Sequence, residues 1–206
     1  MNKTPPPRNG SQPDAQTRTG PDIASDPARL AALAARIDRP VVLVGMMGVG
    51  KSTVGRKLAQ VLDLPFVDAD DAIVEAAKMS IADMFDQHGE ASFRDGERRV
   101  IARLLDGRRG VIATGGGAFV QPDTRALIME RGLPVWLDCD IDTLVERVGR
   151  NTKRPLLRGG NVRDIVTRMK AEREPAYALA PIHVMSISAP HTTTVNRILE
   201  ALDQCL

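Results

Sequence analysis

The segment at residues 45–53 constrains this chain more than any other. It reads Gly-Met-Met-Gly-Val-Gly-Lys-Ser-Thr and matches the pattern G-x-x-x-x-G-K-[ST]. An apolar run typical of a buried strand, residues 41–44, precedes it, and a helical pattern at residues 52–62 follows. In such a strand–loop–helix unit the glycines let backbone N–H groups approach phosphates, and the helix N-terminus adds further N–H groups. The segment therefore predicts a nucleotide-binding loop in which Lys51 reaches the β- and γ-phosphates and Ser52 ligates Mg²⁺.

Short apolar runs alternate with helical patterns along residues 27–206. We interpret five runs as strands: residues 41–44, 65–67, 111–113, 135–137 and 183–187. Helical patterns fall at residues 27–37, 52–62 and 193–206, with two or three more helices between residues 71 and 105. Asp26 is positioned to cap the first of these helices, with Pro27 as its first residue. Strands without alternation, separated by helices, predict one α/β domain with a parallel sheet covered on both faces.

The first 26 residues differ from the rest of the chain. Five prolines interrupt them and apolar residues are sparse, so we predict a disordered N-terminal tail at residues 1–26 and a single domain at residues 27–206. The sequence has no apolar segment long enough for a membrane span and no apolar core of a signal peptide near its start. We therefore expect a cytoplasmic protein without a membrane partner.

Composition narrows the classes of partner. The net charge is only +2 and aromatic residues make up 3% of the 206 residues, which argues against a base-stacking nucleic-acid surface. Cys139 and Cys205 lie far apart in the sequence and predict free thiols rather than a disulfide framework or a zinc site. We expect a monomer with no nucleic-acid partner.

Two acidic residues follow the second predicted strand. Asp68 and Asp70 are two residues apart, so in an extended segment both carboxylates would point the same way, at the edge of the sheet where ligands of open α/β folds bind. One could hold Mg²⁺ through water and the other a substrate hydroxyl; helix capping is the alternative interpretation. Asp138 directly follows the apolar run at residues 135–137, so it also fits the pattern of an apolar strand that ends in a metal-binding aspartate.

Candidate anion-binding residues lie farther along the chain. Arg94 and Glu97 are spaced to pair on a helix, and such a Glu could hold the guanidinium for bidentate capture of a carboxylate, although an exposed pair is the commoner case. A triple glycine, residues 115–117, follows a strand directly and predicts close approach of backbone to a ligand or, alternatively, a flexible turn. Residues 147–173 contain nine Lys or Arg against two acids, which predicts a mobile, charged loop hinged onto a helix, with a solvated loop or a nucleic-acid patch as alternatives.

Together these segments resemble the shikimate kinase family over roughly residues 40–206. The resemblance depends on motifs in a fixed order: residues 45–53, Asp68 with Asp70, Phe93-Arg94 with Glu97, the triple glycine, Arg154-Pro-Leu-Leu, and Arg173-x-Pro-x-Tyr177. It implies a three-layer αβα P-loop kinase fold of the nucleoside-monophosphate-kinase type. That fold has a five-stranded parallel sheet in the order 2-3-1-4-5, a lid at about residues 149–162 and a substrate-binding helical region.

The resemblance also implies the reaction and the residues that perform it. ATP would phosphorylate the 3-hydroxyl of shikimate with Mg²⁺ as cofactor, and catalysis would depend on Lys51, Asp70 and Arg154. The ATP-binding residues would be Gly48, Val49, Gly50, Lys51, Ser52, Thr53, Arg147 and Arg154, and the metal ligands Ser52 and Asp68. The shikimate-binding residues would be Asp70, Arg94, Gly115, Gly116, Gly117 and Arg173. The chain departs from the family at its long tail and at Gly96, which costs the helix about 1 kcal/mol, and residues 188–190 cannot be aligned to the family's adenine-binding segment.

Three other functions compete with this interpretation. A gluconate kinase also phosphorylates a hydroxylated carboxylate, and only the segments at residues 94–97 and 115–117 favour shikimate over gluconate. A non-catalytic protein of the same fold should lack Lys51, Asp68 or Arg154, all of which are present. A nucleic-acid binder using residues 147–173 would bind with a steep salt dependence.

Overall fold

The fold is built on one parallel sheet. The computed structural model describes residues 23–106, 109–149, 161–187 and 189–206. The strands are β1 (Val41–Val44), β2 (Phe66–Asp68), β3 (Val111–Ala113), β4 (Leu133–Asp138) and β5 (Ile182–Met185). All pairings are parallel and the strand order is β2-β3-β1-β4-β5, which confirms the predicted order 2-3-1-4-5.

Eight α-helices connect or flank these strands in the described ranges. They are α1 (Pro27–Arg36), α2 (Lys51–Leu62), α3 (Ala69–Ala77), α4 (Ile81–Leu105), α5 (Pro122–Arg131), α6 (Ile141–Gly149), α7 (Val162–Tyr177) and α8 (His191–Cys205). Every residue of β1 and β4 is buried, so helices cover both faces of the sheet and form the three predicted layers. Asp26 caps α1 through its carboxylate, as predicted, with Pro27 at the first helical position. None of the helices in these ranges is long and apolar enough to cross a membrane.

Two local features add to the sequence-based expectation. Ile23 is buried in the main core within a 3₁₀ turn (Ile23–Ser25), although residues 23–26 were predicted to belong to the tail. Helix α4 is interrupted at Gly89, whose φ of 75° and ψ of 169° are not helical. The tail before residue 23 and most of the predicted lid, including Arg154, lie outside the described residues.

A small apolar cluster stands apart from the main core, between α3 and α4. It consists of Ile73, Met84 and Phe93, with Met79, Ile81, Phe85 and Val100 packed around it. Because this cluster is small, the helical region that carries it has fewer buried apolar contacts than the sheet core, as the predicted substrate-binding region would.

Candidate active site

The glycine-rich loop connects β1 to α2. Gly45, Gly48 and Gly50 have φ values of 132°, 86° and 97°, which favour glycine because a Cβ atom disfavours this region. Gly50 is the N-cap of α2 and supplies no capping side chain. The N–H groups of the first turn of α2 and the positive end of the helix dipole are therefore directed at the loop, an arrangement that binds phosphate.

Lys51 lies beneath this loop with only 8% of its surface exposed. Its Nζ donates to the carbonyl oxygens of Gly45 at 2.7 Å and Met46 at 2.9 Å. These bonds keep the buried ammonium at the base of the loop. Val49, expected among the ATP-binding residues, is fully buried and its N–H faces the Met46 carbonyl at 3.5 Å, so it does not contribute to the cavity wall.

A cavity of about 590 Å³ opens in front of the loop. It is lined by Met47, Gly48, Gly50, Lys51, Ser52, Thr53, Asp68, Asp70, Thr114, Gly115, Gly116, Arg147 and His191. We call it the nucleotide cavity. Seven of these lining residues were predicted from sequence to bind ATP or Mg²⁺: Gly48, Gly50, Lys51, Ser52, Thr53, Asp68 and Arg147.

The donor set in this cavity fits magnesium. The Ser52 hydroxyl donates to Asp68 Oδ2 at 2.5 Å, which brings a hydroxyl and a carboxylate oxygen together beside the phosphate-binding loop. Mg²⁺ prefers oxygen ligands and is commonly held by one or two protein groups together with substrate phosphates and water. Across the described part of the chain no cluster of three or more His, Cys, Asp or Glu side chains offers another metal site.

The extended geometry predicted for Asp68 and Asp70 is wrong in one respect. Asp68 ends β2 and caps α3, accepting from the Asp70 N–H at 3.1 Å, so Asp70 already lies in the first turn of the helix. The helix begins immediately after the strand because this cap satisfies its first free N–H group. Both residues nevertheless line the nucleotide cavity, and Asp68 combines capping with its place beside Ser52.

Asp138, the other candidate for a metal-binding strand end, is committed elsewhere. Its Oδ1 accepts from Lys170 Nζ at 2.6 Å and from the Cys139 N–H at 2.8 Å, and the carboxylate is almost fully buried. Asp138 does not line the nucleotide cavity, whereas Asp68 does, so Asp68 is the better metal candidate.

Arg147 and His191 both line the nucleotide cavity. The Arg147 guanidinium donates to the Val49 carbonyl at 3.3 Å, the Ser186 hydroxyl at 3.3 Å and the Ile187 carbonyl at 3.2 Å, so it joins the phosphate-binding loop to the segment after β5. Burial, then the positive charges of Arg147 and Lys57, lowers the pKa of His191. A neutral ring beside Arg147 suits a base-binding surface, and no sequence motif marks His191 for this position.

A second cavity of about 240 Å³ lies beside the first. It is lined by Met47, Asp70, Ile81, Phe85, Phe93, Arg94, Glu97, Gly115, Gly116, Gly117 and Arg173. We call it the acceptor cavity. All six residues predicted to bind the acceptor are in this wall: Asp70, Arg94, Gly115, Gly116, Gly117 and Arg173.

The predicted pair of Arg94 and Glu97 forms, and it is not an exposed one. Arg94 Nη1 donates to Glu97 Oε2 at 2.8 Å, while Nε and Nη2 donate to Glu90 Oε1 at 3.2 and 3.1 Å. The Glu97 side chain is 2% exposed. Burial raises the pKa of Glu97, and the charge of Arg94 offsets part of that rise. The two carboxylates keep the pKa of Arg94 above its ordinary value despite burial, so the guanidinium is always charged.

The triple glycine is required by close contacts. A Cβ atom on Gly117 would lie 2.5 Å from Arg94 Nη2, and one on Gly115 would lie 2.7 Å from Asp70 Oδ1. Any side chain at these two positions would displace the cationic and acidic groups of the cavity. This close approach to two side chains argues against a merely flexible turn, and contact of the same backbone with a ligand stays a prediction.

Helix α7 brings Arg173 to the same cavity. Arg173 Nη1 lies 3.4 Å from the Gly116 carbonyl oxygen, which also accepts a hydrogen bond from the Tyr177 hydroxyl. The guanidinium groups of Arg94 and Arg173 therefore face one small cavity from two different helices, although 79 positions of sequence separate them.

Aromatic and aliphatic residues form the remaining wall of the acceptor cavity, and sequence reasoning did not assign them a site role. The Arg94 guanidinium lies over the rings of Phe93 and Phe85, with centroid distances of 5.2 and 5.8 Å. Ile81 and Met47 complete this apolar side. Met47 and Phe93 lie within sequence motifs without an assigned contact, and the only sequence signal for Ile81 and Phe85 was the apolar pattern of α4, which also describes an ordinary core face.

The two cavities share part of their lining. Met47, Asp70, Gly115 and Gly116 belong to both, so the phosphate-binding loop and the two arginines open onto one continuous cleft. A nucleotide bound at the loop and an acceptor whose carboxylate is held by the two arginines would therefore meet near Asp70.

Comparison with known proteins agrees with this geometry. The shikimate kinase family model matches residues 47–203. A shikimate kinase of Novosphingobium aromaticivorans is 64% identical over 175 residues, which cover 83% of this chain and 91% of that protein.

Solved structures extend the comparison to the fold. A shikimate kinase from Acinetobacter baumannii in complex with shikimate superposes with a TM-score of 0.78 at 30% identity, covering 84% of this chain and 98% of that one. A gluconokinase from Sinorhizobium meliloti superposes with a TM-score of 0.55 at 18% identity, covering 82% and 94% of the two chains, and shares only the fold.

Proposed function

This chain belongs to the shikimate kinase family and has its activity, the ATP-dependent phosphorylation of shikimate; on that premise we propose which residues bind each substrate and the metal. The more distant gluconokinase does not favour gluconate as the acceptor. The observation that carries the proposal is the shared lining of the nucleotide and acceptor cavities, with Asp70 in both.

On the donor side, the amides of Gly48 and of residues 50–53, together with the buried Lys51, bind the ATP phosphates. The N-terminus of α2 and the ammonium of Lys51 together neutralise the charge of the β- and γ-phosphates. Arg147, beside His191, lies along the adenosine moiety. Ser52 and Asp68 would hold Mg²⁺, which supplies electrostatic stabilisation of the phosphates when bound.

On the acceptor side, Arg94 and Arg173 bind the shikimate carboxylate. Glu90 and Glu97 use three of the five guanidinium N–H groups of Arg94, and one N–H on each terminal nitrogen is left for a bidentate bond to a carboxylate. The apolar wall around Phe85 and Phe93 suits the carbon ring of the substrate. Gly115, Gly116 and Gly117 provide backbone contacts.

Asp70 orients the attacking hydroxyl and accepts its hydrogen bond. The hydroxyl oxygen forms a bond to the γ-phosphorus, the bond from that phosphorus to ADP breaks, and the hydroxyl proton leaves toward Asp70. Positioning and charge neutralisation supply most of the rate enhancement in such transfers. Arg154, predicted to stabilise the transferred group from the lid, lies outside the described residues and stays a prediction.

A coupled ADP-release assay with shikimate and gluconate tests the substrate, and ³¹P NMR identifies the phosphorylated hydroxyl. Asp70→Asn should lower kcat by roughly 10²-fold or more, because the amide oxygen can still accept the hydrogen bond of the hydroxyl but cannot take its proton. Asp71→Asn, a matched change at the neighbouring exposed residue, should leave kcat unaltered. Release of ADP with gluconate and not shikimate, or equal kcat values for the two variants, would refute the proposal. The monomeric state, cytoplasmic location and lack of a nucleic-acid partner stay predictions.

A further inference from the structure

Three polar residues of α7 share one face of the helix. Lys170, Arg173 and Tyr177 are spaced i, i+3 and i+7, which places them in one row along the helix. The middle residue faces the acceptor cavity. The two outer residues are bonded to the ends of two different strands, so each side of Arg173 is attached to the sheet.

Lys170 attaches α7 to the end of β4. Its Nζ donates to Asp138 Oδ1 at 2.6 Å and to the Cys139 carbonyl at 2.9 Å. The side chains of Lys170 and Asp138 are only 15% and 10% exposed, so water screens this ion pair far less than an ordinary surface pair. A buried pair of this geometry fixes the turn of α7 that precedes Arg173.

Tyr177 attaches α7 to the loop after β3. Its hydroxyl donates to the Gly116 carbonyl, and its ring is 1% exposed and stacks against Trp136 of β4 with a centroid distance of 6.1 Å. Burial raises the pKa of Tyr177 to about 12, so the hydroxyl stays protonated and remains a donor.

The Gly116 peptide needs this second donor. Arg173 Nη1 lies 3.4 Å from the same carbonyl, at the long end of hydrogen-bond distances, and a carboxylate bound to Arg173 would compete for that N–H. Pro175 also removes one backbone hydrogen bond from the last turn of α7, which weakens the connection between Arg173 and Tyr177 within the helix itself. When Arg173 turns to the substrate, Tyr177 still holds the Gly116 peptide in the wall of the acceptor cavity.

We propose that Lys170 and Tyr177 are positioning residues for the acceptor: bonded to the ends of β4 and β3, they fix Arg173 and the Gly116 peptide in the geometry that binds the shikimate carboxylate. The inference rests on the proposed role of Arg173. It assigns a function to two residues that do not bind ATP and whose side chains do not line the acceptor cavity.

Tyr177→Phe is the most selective test, because it removes one hydroxyl and keeps the ring. We expect the Kd and KM for shikimate to rise about 5- to 10-fold, the value of one neutral hydrogen bond, while kcat at saturating shikimate falls less than the KM rises. The Kd of a non-hydrolysable ATP analogue should change less than about twofold, since Tyr177 does not line the nucleotide cavity. Lys170→Met should weaken shikimate binding in the same way, and Lys170→Arg should restore part of it.

Arg168→Met is the matched control on the same helix. Arg168 is exposed and points away from Lys170, so the same loss of charge should alter neither Kd. Where Lys170→Met fails to fold, the double variant Lys170→Met with Asp138→Asn, which removes both charges, replaces it.

Isothermal titration with each ligand, at a temperature well below the lowest Tm of the series, separates the outcomes. The positioning role would be overturned if the shikimate affinity is unchanged in Tyr177→Phe and in the Lys170 variants. It would also be overturned if the affinities for shikimate and for the ATP analogue fall in parallel. Arg173→Met distinguishes the two proposals: if it leaves shikimate affinity unchanged, the proposed carboxylate-binding role of Arg173 is itself refuted. If it weakens shikimate binding while Tyr177→Phe and Lys170→Met do not, only the positioning inference fails.

Discussion

Replacing Arg94 by methionine removes the guanidinium and keeps most of the apolar stem. Two N–H groups of Arg94 are left for the substrate after Glu90 and Glu97 have taken three. A hydrogen bond to a charged group contributes about 1.5–3 kcal/mol, so the loss of both should cost at least about 3 kcal/mol of binding free energy. At 1.4 kcal/mol for each factor of ten, shikimate affinity should fall by roughly 10²-fold.

Isothermal titration with shikimate and, separately, with a non-hydrolysable ATP analogue measures this effect. Arg94 does not line the nucleotide cavity, so the Kd of the analogue should change less than about threefold. Arg98→Met is the control, because Arg98 lies one turn later on α4 and pairs at the surface with Asp95. A shikimate Kd within threefold of the parent value in Arg94→Met would refute the assignment of the carboxylate site.

The same substitution affects stability, and a double variant separates the two effects. Without Arg94 the buried Glu97 loses its partner, a situation that costs about 3–5 kcal/mol for a buried ion pair. The pKa of Glu97 is already raised by burial, so the variant folds best with this carboxyl protonated and loses stability as the pH rises through that pKa. Arg94→Met combined with Glu97→Gln should recover the lost unfolding free energy at neutral pH and still bind shikimate weakly.

Three further predictions concern stability and the metal. Gly96→Ala should raise the free energy of unfolding by up to about 1 kcal/mol, because Gly96 is helical and a Cβ atom there would meet nothing within 4 Å. Gly89→Ala should lower the free energy of unfolding by about 1–3 kcal/mol, because the dihedral angles of Gly89 are not helical. Urea denaturation of the two variants checks these opposite signs. Asp68→Asn should raise the Mg²⁺ concentration needed for half-maximal activity roughly tenfold or more while the capped helix stays intact, since Asn caps as well as Asp; a Tm that falls with an unaltered Mg²⁺ requirement would contradict this. Hydrogen bonding to Arg36 lowers the pKa of Asp203, so Asp203→Asn should reduce stability at pH 7 by less than about 1 kcal/mol, and the difference between the two proteins should shrink as the pH falls below about 4 in acid-denaturation curves.

The sheet and the phosphate-binding loop could be predicted because their signals are local. The loop motif is contiguous, and strands buried on both faces appear as short apolar runs whatever their neighbours are. The strand order, in contrast, came from the family resemblance and not from periodicity. Helix starts at residues 27 and 51 were predicted to within one residue, since Pro27 and Gly50 mark them directly.

The acceptor side depends on contacts between distant segments, which composition and spacing do not encode. The spacing of Arg94 and Glu97 predicted their pairing, but it could not show that Glu97 is buried, because the same i, i+3 pattern also describes solvent-exposed pairs. The ion pair of Lys170 with Asp138 joins two residues 32 positions apart, neither of which has a distinctive pattern around it. Asp70 was predicted in an extended segment after the second strand, because the spacing of two aspartates did not distinguish an extended segment from a strand end that caps a helix.

Of the four residues that line both cavities, two are glycines, Gly115 and Gly116, and the others are Met47 and Asp70. A side chain introduced at either glycine would enter a wall that both cavities share, so it would affect the binding of both substrates at once. Six of the seven residues that line the acceptor cavity alone lie on α4 or α7, so substitutions on these helices can alter the acceptor cavity and leave the nucleotide cavity unchanged. The fold thus separates the phosphate-binding loop from the helices that contact the acceptor, so the preference for an acceptor can change while the nucleotide cavity is retained.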